Sequence, residues 1–294
     1  MILSIGEILA DMICESLSNG CAFQVYCGGA PFNVAVNIKR HSGKVAFVGA
    51  VGRDVIGDFL VKRAQTFGLD YCDIQRIDGK NTTLAFVSLI DGERNFSFFR
   101  NDTADFRISI NKDGLIADNN VDIVHIGSLM LSTSEGKSLA DRIITLSKEY
   151  GKKISFDINY RSDLYENIQA ARSAYDEILN NADIIKFSDD ELTLFTGETD
   201  FDKAIERVYR RNTLLVVTLG SKGSFYKYNN FCGFVGTEKV IPVDTTGAGD
   251  AFFGVVLKNL DGVPLCGLTD DYLFNILKQA NLAGMQATQH KGAI

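Results

Sequence analysis

Between residues 121 and 219 the chain repeats one pattern: a short apolar run, then a longer stretch with apolar residues at helical spacing. The runs cover residues 121–126, 153–158, 183–187 and 214–219, and helical spacing marks 135–150 and 170–179. Leu214-Leu215-Val216-Val217 shows no polar alternation, as a strand covered on both faces requires. Strands that alternate with helices join in parallel, so this pattern predicts an α/β fold with a mostly parallel central sheet and helices on both faces.

The first third departs from that rhythm. Residues 2–5 and 44–49 read as strands of the same kind, with helices over 32–41 and 54–67. Residues 9–15, 22–27, 83–90 and 94–100 read as further strands that do not alternate with helices. Ser18-Asn19-Gly20 marks a turn between the first pair, and Asp91-Gly92 is a strong hairpin signal between the second. The expectation is one domain over 1–294, with strands from about 9–27 and 83–100 forming a small β-sheet lid. Val240-Ile241-Pro242-Val243 reads as a short strand, and residues 270–289 close the chain as helix.

A chain of 294 residues with 46% hydrophobic content is long enough to bury a sizeable core. The net charge of −7, with no block of lysine and arginine, argues against nucleic acid and anionic membranes as partners. The N-terminal residues lack the basic start and long apolar core of a signal peptide, and no apolar run reaches the ~20 residues of a membrane span. The expected location is cytoplasmic. The six cysteines form no C-x-x-C pair and the three histidines are scattered, which disfavours structural zinc and suits reduced thiols.

The stretch Asp244-Thr245-Thr246-Gly247-Ala248-Gly249-Asp250 carries the chemistry. Phe252, Val255, Val256 and Leu260 follow at helical spacing, so a helix opens near Gly249. A glycine turn entering a helix directs backbone N–H groups and the positive end of the helix dipole at one spot, a site for an anion. Asp250 beside such a site suits the loss of a hydroxyl proton while negative charge builds nearby, as in phosphoryl transfer to an alcohol. A dinucleotide fingerprint would need glycine where Phe252 stands, and the nearest Walker-type candidate, Gly136-Lys137-Ser138, has Leu131 in place of its first glycine. Taken alone, the stretch is equally a glycine turn capped by an aspartate.

Residues 244–254 resemble the C-terminal signature of the ribokinase-like (PfkB) family of sugar kinases. Gly28-Gly29-Ala30-Pro31-Phe32-Asn33-Val34-Ala35, followed by Gly43, Gly49 and Gly52, is similar to the family's N-terminal signature, and the likeness is strongest to its bacterial fructokinase branch. The resemblance implies an ATP-dependent sugar kinase with magnesium, most simply one that phosphorylates fructose; ketodeoxygluconate, ribose and nucleoside kinases share the scaffold. A non-catalytic sugar sensor is the reading from another class, and Asp250 with its intact glycine turn argues against it. The resemblance further implies a lid that closes over the sugar and can pair with a second subunit as a homodimer.

Individual residues take expected roles on the same footing. Asp250 would be the base, and the amides of Gly247, Ala248 and Gly249 the anion cradle. A helix N-terminus would favour its ionised state. Gly28 and Gly29 let the backbone approach a polyhydroxylated ligand, and Asn33 can donate and accept. Asp11 sits on a lid strand and either binds sugar or faces water; the resemblance favours sugar. Arg100 would contact sugar and Phe98 would wall the pocket. Asp157-Ile158-Asn159-Tyr160-Arg161 ends a predicted strand, where open α/β sheets place ligands, and resembles a fructokinase motif in which Asn159 and Arg161 meet the sugar and γ-phosphate. Ser188 stands where relatives carry asparagine, and Glu191 would organise magnesium through water; the two also spell a helix capping box. Thr218, Gly220 and Gly223 resemble the element beneath ATP, and Asn281 lies on a small-residue helix resembling the wall beside adenine.

Overall fold

The computed structural model describes residues 1–14, 22–90, 93–111 and 114–294. Strand β1 (Ile2–Ile5) runs through Gly6 and Glu7 into β2 (Leu9–Cys14). Next come β3 (Gln24–Gly28), α1 (Ala30–Arg40), β4 (Val45–Gly52), α2 (Val55–Gln65), β5 (Tyr71–Ile77), β6 (Leu84–Ile90) and β7 (Glu93–Phe99). The alternating part holds β8 (Ile123–Ile126), α3 (Ser134–Glu149), β9 (Lys153–Asp157), α4 (Ile168–Asn181), β10 (Ile184–Ser188), α5 (Asp189–Thr196), α6 (Phe201–Val208) and β11 (Leu214–Thr218). A hairpin of β12 (Ser224–Tyr228) and β13 (Phe231–Val235) precedes α7 (Ala248–Leu260) and α8 (Asp270–Ala287).

Among the described residues nine strands form one sheet in the order β13-β12-β11-β10-β9-β8-β1-β4-β5. It is parallel from β11 to β5, and β12 and β13 add antiparallel. Successive residues of a central strand feed opposite layers, which is why these strands read as unbroken apolar runs. Ile185 and Val217 join α3 and α4 residues such as Ile143 and Tyr175 on one face. Ile184 and Val216 join Phe32 of α1, Phe253 of α7 and Leu277 of α8 on the other. Helix α7 has Gly247 at its N-cap with no side-chain cap, yet Phe252, Phe253, Val255, Val256 and Leu257 are all buried. Each such side chain contributes about 1.5–3 kcal/mol by burial, against about 1 kcal/mol for a cap. Packing therefore sets the position of α7.

The small second sheet has the order β3-β2-β6-β7. β2 pairs antiparallel with β3 and parallel with β6, and β6 pairs antiparallel with β7. The expected turn at 18–20 and the Asp91-Gly92 loop lie outside the described residues.

Several elements depart from expectation. β5 was not foreseen, because it is an edge strand with no fully buried residue, Tyr-Cys-Asp-Ile-Gln-Arg-Ile, and no apolar face to read. Residues 240–243 form no strand; Ile241 is 90% exposed, and the Val243 amide donates instead to the Thr288 carbonyl beyond α8. Helix α5 opens on the expected Ser188–Glu191 capping box, whereas α6 and the β12–β13 hairpin are additions. Cys27, Cys72, Cys232 and Cys266 are free thiols, whereas Cys14 is disulfide-bonded, so reduced thiols throughout was too broad. No described helix is long and apolar enough to cross a membrane.

From β1 the chain proceeds through α1 to β4 on one side of the sheet, and β8 later adds on the other side. The order reverses between β1 and β8, and open α/β sheets offer a crevice at the carboxyl ends of such strands.

Candidate active site

At those carboxyl ends, the lid and the start of α7 enclose a cavity of about 370 Å³. The lid contributes Asp11 and Phe98, α1 contributes Asn33, and Gly29 precedes α1. Asp157, Asn159 and Arg161 come from the end of β9, Ser188 and Glu191 from the β10–α5 junction, and Gly247, Gly249 and Asp250 from the α7 turn. A second cavity of about 260 Å³ is lined by Gly220, Gly223, Ala248 and Asn281, together with Val240 and Pro242. Thr218, Thr245 and Gly249 line both, so the two form one cleft.

Asp244 builds the α7 turn. Its Oδ1 accepts from the Thr246 amide and its Oδ2 from the Gly292 amide, each at 2.8 Å. Gly247 has φ 76°, and a Cβ there would lie 2.7 Å from Ala293 Cα, so only glycine fits. The Ala248 amide turns back to the Thr245 carbonyl at 3.3 Å, leaving the amides of Gly249 and Asp250 as the first-turn donors that helix geometry leaves open. Of the expected cradle of Gly247, Ala248 and Gly249, the Ala248 amide is thus engaged within the turn.

Asp250 is half-buried, and its Oδ2 accepts from Asn33 Nδ2 at 2.8 Å. Burial raises its pKa; the Asn33 hydrogen bond and the charges of Lys186 and Arg161 oppose this, and Glu191 adds to it, for a net rise. Burial therefore works against the ionised state that a helix N-terminus favours. A carboxylate shifted upward is also a stronger proton acceptor.

On the opposite wall, Asp11 is buried on β2 and Gly28 packs directly beside it: a Cβ on Gly28 would lie 2.2 Å from Asp11 Oδ2. Gly28 does not line the cavity itself but makes room for the carboxylate that does. Gly29 has φ 109°, and a Cβ there would stand 2.4 Å from the Glu7 carbonyl oxygen, which keeps α1 against the end of β1. Asn159 adopts φ 37°, a left-handed conformation that asparagine tolerates, turning the chain at the end of β9.

Arg100 is not at the cavity wall. Its side chain is 4% exposed and ion-paired with Asp105 at 2.6 Å, with Nη1 donating to Ser132 Oγ. Asp105 also accepts from Thr83 and Thr103, each at 2.6 Å. The sugar contact expected of Arg100 rests on the fructokinase resemblance; here the guanidinium pairs with Asp105 at the end of β7, outside the cavity lining.

Sequence reasoning singled out neither Glu7 nor Lys186. Lys186 lies in β10 between Ile185 and Phe187, and its Nζ donates to both carboxylate oxygens of Asp157 at 2.8 Å. Burial alone would lower its pKa; the carboxylates of Asp157, Glu191 and Asp250 reverse this, so it is held protonated. A lysine inside a fully buried strand was the available signal. Glu7 is buried at the β1 exit, and neither carboxyl oxygen has a hydrogen-bond partner among the described residues. Burial pushes its pKa up to about 8.

Ser188 and Glu191 form the capping box of α5. Glu191 Oε2 accepts from the Ser188 amide and Oε1 from the Tyr160 amide, so the same carboxylate ties α5 to the loop carrying Arg161. Among the described residues no three His, Cys, Asp or Glu side chains group to hold a metal. Magnesium keeps waters and phosphate oxygens as ligands, so a single carboxylate at the cavity edge fits that ion. In the second cavity, Asn281 Nδ2 donates to the Val235 carbonyl at 2.8 Å and to the Gly236 carbonyl at 3.3 Å, joining α8 to the end of β13.

The whole chain, residues 1–294, matches the model of the pfkB family carbohydrate kinases. It is 38% identical over 301 residues to a probable fructokinase-3 of Arabidopsis thaliana, covering 100% of this chain and 87% of that protein. Its fold is similar to that of a fructokinase from Xylella fastidiosa with bound ATP, at TM-score 0.86 and 31% identity over 99% of this chain and 93% of that one. A fructokinase from Vibrio cholerae O395 in fructose, ADP and calcium ion bound form is similar at TM-score 0.86 and 30% identity, over 99% and 94% of the two chains.

Proposed function

The chain belongs to the pfkB family of carbohydrate kinases, and from that premise we propose that it transfers the γ-phosphoryl group of ATP to D-fructose, giving fructose 6-phosphate. The observation that carries the reading is the meeting of Asp11, Asn33 and Asp250 around one cavity that opens into a second beside Gly220 and Gly223. The sugar takes the first cavity and the nucleotide the second, so the γ-phosphate reaches the α7 turn where the two join.

Asp250 accepts the proton of the primary hydroxyl as that oxygen bonds to the γ-phosphorus and the bond to ADP breaks. Asn33 holds the Asp250 carboxylate toward the cavity through its 2.8 Å hydrogen bond. The Gly249 and Asp250 amides stabilise the growing phosphoryl charge. Asp11, Asn159 and Arg161 position the sugar, with Arg161 at its junction with the phosphoryl group. Glu191 would hold magnesium through water, and the ion would neutralise phosphate charge. Arg100 acts at a distance, fixing the lid strand that bears Phe98. The chain works as one domain, and the lid face exposing Phe99 is the surface through which two copies would pair; equilibrium sedimentation tests that pairing.

A mixed set of acids and amides suits a neutral polyol, and Asp11 would repel the carboxylate of ketodeoxygluconate. The test is ADP release at saturating Mg·ATP with fructose, ribose, ketodeoxygluconate and adenosine. Fructose is expected to have the highest kcat/KM. A tenfold advantage for another acceptor, about 1.4 kcal/mol in transition-state binding, would overturn fructose while leaving the kinase intact. Asp250→Asn is expected to lower kcat by ~10²–10⁴ with nucleotide binding retained, and near-normal turnover would remove Asp250 as the base.

A further inference from the structure

We propose that Lys186 is a catalytic residue: the side-chain cation, clamped by Asp157, that contacts the transferring phosphoryl group. The proposal rests on the kinase reading above and adds to it a group outside the glycine turn.

Three observations converge on it. Lys186 is 5% exposed within a strand whose other residues are apolar or a helix cap, yet it lines the sugar cavity. Its ammonium lies against the first turn of α7, since a Cβ on Gly249 would be 3.3 Å from Nζ. Two of its N–H donors go to the oxygens of Asp157, and no third acceptor is found among the described residues. The cation and the open amides of Gly249 and Asp250 therefore share one corner of the cavity.

Stability does not account for the pair. A buried ion pair seldom outperforms apolar side chains of similar volume, because both charges lose their hydration. Charge balance supplies a reason. The cavity wall carries the acids Asp11, Asp157, Glu191 and Asp250 beside Glu7, whose proton burial favours, and its basic residues among those described are Arg161 and Lys186. An incoming phosphoryl group meets an acidic wall unless a cation is fixed where it arrives. Asp157 serves by holding Lys186 charged and stationary before the substrate binds, so no reorganisation is needed during transfer. During the reaction Lys186 donates a hydrogen bond to a non-bridging oxygen and keeps its protons. The hydroxyl proton goes to Asp250, the new bond joins the sugar oxygen to phosphorus, and ADP leaves with the electrons of the broken bond.

The experiment compares the intact wild-type chain with Lys186→Met and with the double variant Lys186→Met/Asp157→Leu, which replaces both charges with apolar groups. It measures Tm, kcat, KM for fructose and ATP, and the pH profile of kcat/KM. Lys186→Met is expected to lose ~10²–10³-fold in kcat, with KM for fructose nearly unchanged. The acid limb of the profile should move to higher pH, because a charge that holds the Asp250 pKa down is gone. Asp250 is also faced by Asn33 of α1, Arg161 after β9, Glu191 of α5 and Glu7 after β1, none of which changes, and by Asp157 of β9, which changes only in the double variant. A purely structural pair would lower Tm and move the acid limb through the same lost charge, but would leave the plateau kcat in place. If the single variant does not fold, the double variant decides: wild-type Tm with the same kcat loss supports the proposal, and near-wild-type kcat overturns it. A wild-type chain that releases no ADP with any sugar overturns the kinase reading itself, whereas an active wild type with an equally active folded variant overturns only the role of Lys186.

Discussion

Asp250 and Glu7 show how far burial alone can shift a carboxyl group. Asp250 must be ionised to accept a proton, so activity is full above its pKa and lost as pH falls through it. Because burial raises that pKa, the acid limb of kcat/KM is expected above the range of an exposed aspartate. Asn33→Ala removes the hydrogen bond that opposes the rise and should move the limb further up; an unmoved limb would show that Asn33 does not govern the base. Glu7 acts on stability. Its pKa rises from 4.5 to about 8 on folding, so the folded state binds more protons than the unfolded state between those values. Its stabilising share is complete below pH 4.5 and is lost as pH rises toward about 8. Glu7→Gln, uncharged at every pH, should flatten the decline of Tm across that window; an unchanged slope would mean the carboxyl is solvated in the folded protein.

At the scale of the element, one side chain of α5 carries both its cap and the proposed magnesium role. Glu191 closes the capping box on Ser188 and also receives the Tyr160 amide. Glutamine can close the same box, because its side-chain oxygen still accepts the N-cap amide. Glu191→Gln should therefore keep the box but leave the Tyr160 amide facing an NH2 group, lowering Tm less than alanine does, while raising the magnesium concentration needed for half-maximal rate. Equal magnesium dependence in the two proteins would leave Glu191 with the cap alone. Glu191→Ala should lose about 1 kcal/mol or more of stability, since both backbone donors then lack their acceptor. Asp244 works in the same way at α7, where its two oxygens bond the Thr246 and Gly292 amides and so shape the turn beneath Asp250.

For the whole molecule, the central fact is that the sugar cavity has walls on two separate sheets. Asp11 and Phe98 belong to the lid, whereas Asp250, Asp157 and Lys186 belong to the large sheet and its helices. A ligand that touches both walls should hold the lid against the large sheet and exclude water from the transfer. Fructose with a non-hydrolysable ATP analogue is expected to slow hydrogen exchange at the amides of β2 and β6 more than at those of β9 and β10. Equal protection in both sheets, or none in the lid, would argue against closure.

The parallel core was legible because burial on both faces leaves unbroken apolar runs at 184–187 and 214–217, and periodicity separates those from the helices between them. The α7 turn was legible because its glycines and Asp250 are contiguous, so local geometry builds the turn and its open amides. The residues that sequence reasoning missed act through partners distant in the chain. Lys186 gains its meaning from Asp157, brought beside it by the pairing of β10 with β9, and from Gly249, brought over it by the packing of α7. The sugar contact expected of Arg100 comes from family resemblance, and only the fold places Asp105 and Ser132 around its guanidinium. Edge strand β5 and the extended 240–243 segment escaped for a related reason: an exposed stretch has no apolar period, and its conformation is set by whichever neighbour offers hydrogen bonds. Apolar period and contiguous turn chemistry are properties of the chain itself; charge state and pairing depend on desolvation and on which groups meet, and those exist only once the sheets and helices have packed.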